Sequence, residues 1–111
     1  MIKQYQQELD RMFKKRGWEY WPPLSIIARL FEEGGELSRL VNHLYGPKRK
    51  KSSEERQELE VEIGDVLYTL ICLANSHGVD LDTAIRASFR NAFRRDQPRW
   101  SRKKSRRTRK K

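Results

Sequence analysis

Two acidic pairs, Glu33-x-x-Glu36 and Glu62-x-x-Asp65, flank one break in an otherwise helix-forming stretch. A spacing of three places both members of a pair on one side of a helix. Between the pairs, Tyr45-Gly46-Pro47 is followed by Lys48 to Lys51 and Ser52-Ser53, which marks a turn. Glu36 and Glu33 lie nine and twelve residues before Tyr45, and Glu62 and Asp65 lie nine and twelve after Ser53. Helices packed antiparallel about that turn would carry both pairs at one height, roughly 14–18 Å above it. Four acids at one level repel one another unless a positive group lies among them. A hard divalent cation held by oxygen ligands is the simplest such group.

The rest of the chain reads as helices around this hairpin. Residues 2–16 carry a narrow apolar stripe of Leu9, Met12 and Phe13, and Gly17 can close that helix. Trp18 to Pro23 is an aromatic, proline-rich connector, and Pro22-Pro23 suits a helix start. Residues 24–45 repeat Ile26, Ile27, Leu30, Leu37, Leu40, Val41 and Leu44 at helical spacing. Gly34-Gly35 is unusual inside it, since two interior glycines cost about 1–2 kcal/mol relative to alanine. Either something approaches the backbone closely there or the helix bends.

Ser52-x-x-Glu55 has the form of a capping box. The helix it opens runs to about His77, with Gly78 as its stop. Its second half is apolar on nearly every side, so it needs cover from more than one direction. That predicts a homodimer built on this helix. Asp80 reads as the N-cap of a last helix over 81–95, with Leu81, Ala84, Ile85, Ala87 and Phe89 facing inward. No strand pattern is visible. The expected fold is all-α, a four-helix bundle over residues 1–97 with a disordered basic tail over 98–111.

Of the net charge of +10, nine units belong to Arg99–Lys111, which has no acid, leaving +1 for the first 98 residues. A nearly neutral body argues against a nucleic-acid-binding core. The tail could still contact nucleic acid nonspecifically, or be an inert solubilising end. The single cysteine, Cys72, excludes an intrachain disulfide and fits a reducing compartment. The first residues are too polar for a signal peptide, and Val66 to Ala74 is too short to span a bilayer. Together these predict a soluble cytoplasmic protein with no membrane contact.

Bundle cores build metal sites from side chains on facing helices. Di-iron bundles use Glu-x-x-His, but His43 follows Leu40 by three and His77 follows Ala74, so neither histidine completes that motif. Both lie near helix ends and read as capping or surface groups. An all-carboxylate set favours Mg²⁺, with Mn²⁺ the other candidate. Glu32-Glu33-Gly34-Gly35-Glu36-Leu37 followed by Glu62-Ile63-Gly64-Asp65-Val66-Leu67 resembles the MazG-type nucleotide pyrophosphohydrolases. The resemblance extends to Arg16-Gly17-Trp18 upstream, and to Leu73-Ala74-Asn75 and Gly78-Val79-Asp80-Leu81 downstream. It spans roughly residues 5–95 and leaves the tail unmatched.

The resemblance implies an all-α dimer or tetramer that uses Mg²⁺ to cleave nucleoside triphosphates between the α and β phosphates. Carried over by position, Glu33, Glu36, Glu62 and Asp65 would be the metal ligands. Glu32 and Glu36 are alternative carboxylates for orienting the attacking water. Trp18 resembles the family's aromatic that lies against the base, and otherwise staples the first helix to the bundle. Trp21 reads as core. Thr69 stands where an aromatic is common, with Tyr68 just before it, and Ser88 stands where a phosphate-binding lysine is frequent. Substitute phosphate partners are Arg86, Arg90, Asn91 and Arg94, or the loop Lys48 to Lys51. Asn75 is either a substrate contact or a helix cap. Arg29, one turn before Glu33, pairs with a carboxylate or binds phosphate. Two readings of function result: a house-cleaning nucleotide pyrophosphohydrolase, and a nonenzymatic, nucleic-acid-associated regulatory module that uses the tail.

Overall fold

The structure, a computed structural model, describes the backbone of residues 1–45 and 52–109 and the side chains of residues 1–45 and 58–95. Four helices follow one another: α1 (Ile2–Arg16), α2 (Pro23–Tyr45), α3 (Ser52–Ser76) and α4 (Leu81–Arg109). The described residues form no strand. The expected helix starts and stops agree to within a residue or two for the first three. The proposed capping box at Ser52 and Glu55 and the loop Lys48 to Lys51 lie outside the described side chains.

Local chemistry explains the ends. At Gly17 the chain turns left-handed, φ 67°. The Trp18 N–H reaches the Phe13 carbonyl at 2.8 Å and the Gly17 N–H reaches Lys14 at 3.3 Å. Gly78 repeats this with φ 67°, the Val79 N–H meeting Ala74 O at 2.9 Å and the Gly78 N–H meeting Asn75 O at 3.3 Å. Both are Schellman closures, in which glycine adopts a conformation costly for a residue with a Cβ. Pro22 and Pro23 open α2, with the Ser25 and Ile26 amides bonded to the Pro22 carbonyl. Asp80 caps α4, its carboxylate accepting from the Asp82 N–H at 3.0 Å.

Two compact units result, Met1–Val79 and Asp80–Lys111. In the first, α2 packs most extensively against α3, and α1 also lies on α3. The α2–α3 register is antiparallel: Glu33 groups with Asp65 and Glu62, Leu40 shares a recess with Glu58, and Ile26 shares a cleft with Cys72. Among the described residues, Ile26, Leu40, Leu44 and Ala74 are the buried apolar ones. Expected core position Val41 is 38 % exposed.

Several expectations change. The α2 backbone runs unbroken through Gly34-Gly35, and a Cβ at Gly34, Gly35 or Gly64 would meet nothing within 4 Å. The anticipated close approach is therefore absent among the described residues. Trp21, read as core, is 59 % exposed, because the connector carries it over a cleft rather than under a helix. The second unit is essentially the single helix α4, which cannot bury its own apolar side chains; Ile85 and Phe89, expected to face inward, are 40 % and 58 % exposed. The α4 backbone also continues past residue 95, the expected end of the last helix, to Arg109. Lysine and arginine are good helix formers, which favours that continuation. Among the described residues no helix is long and apolar enough to cross a membrane.

Candidate functional site

Glu33 projects from the middle of α2 into the α2–α3 seam, where it is 5 % exposed. Glu62 and Asp65 come from the facing turn of α3. One oxygen from each of these three carboxylates lies within 4.8 Å of the others. Arg29, one turn before Glu33, bonds to Glu33 Oε1 through its Nε at 3.0 Å. The carboxylate alternative for Arg29 is thus the observed one. Its cation compensates Glu33 from a half-exposed position.

Two carboxylate oxygens remain without a partner although they are buried, Glu33 Oε2 and Glu62 Oε2. A buried acceptor left unmade is expensive. Glu62 bears the consequence: its carboxyl is pushed above the usual range, first by desolvation, then by the charges of Glu36, Asp65 and Glu33. The three-carboxylate set fits a small hard cation. The three oxygens are close enough together for one such cation to draw on all of them. Glu33, Glu62 and Asp65 could hold it, and all three donors are of the type Mg²⁺ and Mn²⁺ prefer.

Glu36, the remaining acid of the motif, is placed differently. It lines a second recess of about 320 Å³ together with Arg39, Leu40, His43, Glu58 and Glu62. Glu62 therefore stands between that recess and the Glu33–Asp65 side. Glu32 is exposed and lines neither space.

On the Glu33–Asp65 side opens a cleft of about 620 Å³. Its wall is aromatic: Phe13, Trp18, Tyr20, Trp21 and Tyr68, with Arg29, Thr69 and Cys72 beside them. Trp18 is 53 % exposed. Phe13 meets it edge-on at 5.7 Å, and the Arg16 guanidinium lies 4.9 Å from its ring centre. Tyr20 stacks on Phe13 at 4.5 Å. Tyr20 donates to Asp10, and its hydroxyl is pushed up to about 12, by burial first and the Asp10 bond second. Burial likewise raises the Cys72 thiol, so at neutral pH it is an apolar lining group.

Among the anticipated substrate contacts, Thr69 is buried and donates to the Asp65 carbonyl at 2.9 Å. It lines the cleft, but its hydroxyl proton is committed to the helix. Asn75 lies away from the cleft lining and is hydrogen-bonded to Gln6 and Tyr20. Arg90 and Asn91 are exposed residues of α4 in the second unit. His77 lies 3.1 Å from the Leu73 carbonyl at the end of α3, the capping role expected for it, while His43 lines the second recess. Sequence reasoning missed Tyr20 and Gln6. Both lack any local motif, and their partners lie far along the chain.

Comparison with known proteins places this geometry. Residues 22–100 match the family model of the MazG nucleotide pyrophosphohydrolase domain. The chain is 46 % identical over 102 residues to YpjD of Bacillus subtilis (strain 168), covering 92 % of each protein. It is 38 % identical over 85 residues to YvdC of the same organism, covering 71 % of this chain and 80 % of that one. Among solved structures it is similar to the crystal structure of Bacillus subtilis YpjD, with TM-score 0.70 and 44 % identity over 82 % of this chain and 91 % of that one. It is equally similar in fold to a Bacillus-conserved MazG protein, a nucleotide pyrophosphohydrolase, with TM-score 0.70 and 40 % identity over 82 % and 87 % of the two chains.

Proposed function

This chain belongs to the MazG nucleotide pyrophosphohydrolase domain family, and from that premise we propose that it cleaves nucleoside triphosphates between the α and β phosphates in a divalent-metal-dependent reaction. One observation carries the reading: two buried, unpartnered carboxylate oxygens belong to a three-acid cluster beside an aromatic cleft. Neither half alone would suffice. Acids without the cleft describe a cation site, and the cleft without acids describes an apolar binding site.

In this reading a nucleobase enters the cleft against Trp18 and its aromatic neighbours, which offer stacking surface. The phosphates then run toward Glu33, Glu62 and Asp65. A bound Mg²⁺ or Mn²⁺ would supply charge neutralisation and a more acidic water. Glu33, Glu62 and Asp65 would hold that ion, and Arg29 pairs with Glu33 and orients its carboxylate. Water adds to the α phosphorus, the Pα–O bond to the β phosphate breaks, and pyrophosphate leaves with the electron pair. The proton from water passes to a carboxylate. Glu36 is better placed than Glu32 for that role, because it lines a recess together with Glu62, whereas Glu32 lines neither space. The family's recurrent assemblies and the exposed apolar residues on α3 favour a homodimer as the working form. House-cleaning of excess or non-canonical nucleotides is the role such a reaction would serve.

The test is pyrophosphate release from a panel of NTPs and dNTPs with Mg²⁺, Mn²⁺ or EDTA. Equimolar monophosphate and pyrophosphate, abolished by EDTA, is the expected result. Replacing a direct ligand, Asp65→Asn, should lower turnover by at least about a hundredfold. Release of orthophosphate, or full activity in Asp65→Asn, would overturn the assignment.

A further inference from the structure

We propose that Gln6, Asn75 and Tyr20 form a clamp that positions the aromatic wall of the cleft, and that this clamp governs affinity for the nucleotide rather than the rate of its cleavage. The inference rests on the nucleotide reading above and assigns a role to residues outside the acid cluster.

The clamp joins three separate parts of the first unit. Gln6 on α1 is 7 % exposed. Its Nε2 donates to Asn75 Oδ1 at 2.9 Å and to the Val79 carbonyl at 2.8 Å. Asn75 on α3 returns two bonds from Nδ2, to the Gln6 carbonyl at 3.0 Å and to the Tyr20 hydroxyl at 2.9 Å. Tyr20, on the connector, passes its own proton to Asp10. Both amide protons of Asn75 are therefore used, and its oxygen is engaged as well. An amide with both donors occupied has none left for a ligand. Asn75 thus acts through Tyr20 as a positioning residue.

What it positions is specific. The Tyr20 ring lies flat on Phe13, and Phe13 supports the edge of Trp18. All three line the cleft. Fixing the Tyr20 hydroxyl fixes the base of this aromatic stack. The anchor stands on α3, ten residues beyond Asp65 and so about 15 Å along the same helix. The wall is thereby indexed against the helix that supplies two of the three acids, without touching any of them. Hydrogen bonds are directional and ring stacking is less so. Removing the hydroxyl alone should loosen the index and keep the stack.

The experiment compares the full chain with Tyr20→Phe and Asn75→Ala. It uses steady-state pyrophosphate release, tryptophan-fluorescence titration with an α,β-methylene triphosphate analogue, and near-ultraviolet circular dichroism without ligand. The expected result is KM and analogue Kd raised about tenfold, the loss of roughly one ordered contact, with kcat within about twofold. The aromatic circular dichroism bands should weaken while far-ultraviolet helicity stays. Equal falls in kcat and kcat/KM would overturn the proposal, as would unchanged constants and unchanged aromatic bands in folded Tyr20→Phe. That variant keeps the ring, so it also decides the matter if Asn75→Ala does not fold. Were the unsubstituted protein to bind and cleave no nucleotide, the functional reading would fall. The aromatic bands would still decide whether the clamp holds the wall.

Discussion

Arg29 is one half of an unequal ion pair: its own side chain is half-exposed, while Glu33 is almost wholly buried. Exposed ion pairs contribute little, but removing the cation from a buried carboxylate is costly. Arg29→Met should destabilise the metal-free fold by about 1–3 kcal/mol, measured by urea unfolding in EDTA. Glu62 has the opposite sense. Its neighbours Glu36, Asp65 and Glu33 all disfavour its charge, so Glu62→Gln should raise the thermal midpoint in EDTA and remove the gain produced by adding Mn²⁺. An unchanged gain would show that the ion binds elsewhere. Tyr20 supplies a pH signature. Its hydroxyl titrates near 10 when unfolded and about 12 when folded, so the fold favours the neutral form. That contribution is complete below pH 10 and is lost as pH rises toward 12. The urea midpoint should fall more steeply over this window in the natural chain than in Tyr20→Phe. At this scale the sequence was informative where chemistry is local. Glu33, Glu62 and Asp65 were legible from i,i+3 spacing and equal distances to the turn. The network of Tyr20, Gln6 and Asn75 was not, because its bonds connect residues 55 to 69 positions apart and no periodicity encodes them.

The helices make one substitution act with opposite signs. Gly78 ends α3 with φ +67°, where any Cβ is strained regardless of space. Gly78→Ala should therefore destabilise by about 1–2 kcal/mol. Gly34 and Gly64 have ordinary helical backbones with open space beside them, and alanine there should stabilise each helix by about 0.5–1 kcal/mol. Thermal unfolding of the two kinds of variant checks the contrast. If the bare backbone serves a bound phosphate, Gly34→Ala and Gly64→Ala would be more stable and less active. Helix boundaries were readable because glycine, proline and Asp80 mark them in the sequence itself. The exposure of Trp21 was not readable, since it depends on where a short connector lies over α1 and α3.

At the scale of the molecule, the uncovered apolar surface is extensive. Ile63, Leu67 and Leu70 recur at helical spacing on α3 and are 43, 50 and 37 % exposed. A stripe of this kind is characteristic of an interface. Light scattering should find twice the 13.3 kDa chain mass, and Leu67→Glu should shift the protein toward the monomer. The nine cations of residues 99–111 predict a separate behaviour. Any RNA binding should weaken steeply with salt and vanish when those residues are removed, without loss of pyrophosphate release. The opposed register of α2 and α3 has a last consequence, for how such a sequence can vary. Glu33 faces Asp65, and Glu36 shares a recess with Glu62, through packing between the helices rather than through the segment joining them. Doubling a connecting loop costs only about 0.6 kcal/mol. One residue inserted inside a helix turns everything beyond it by about 100°. Homologues can lengthen or shorten the stretch after Tyr45 and keep their chemistry; an insertion between Glu33 and Tyr45 would swing the acids out of the seam.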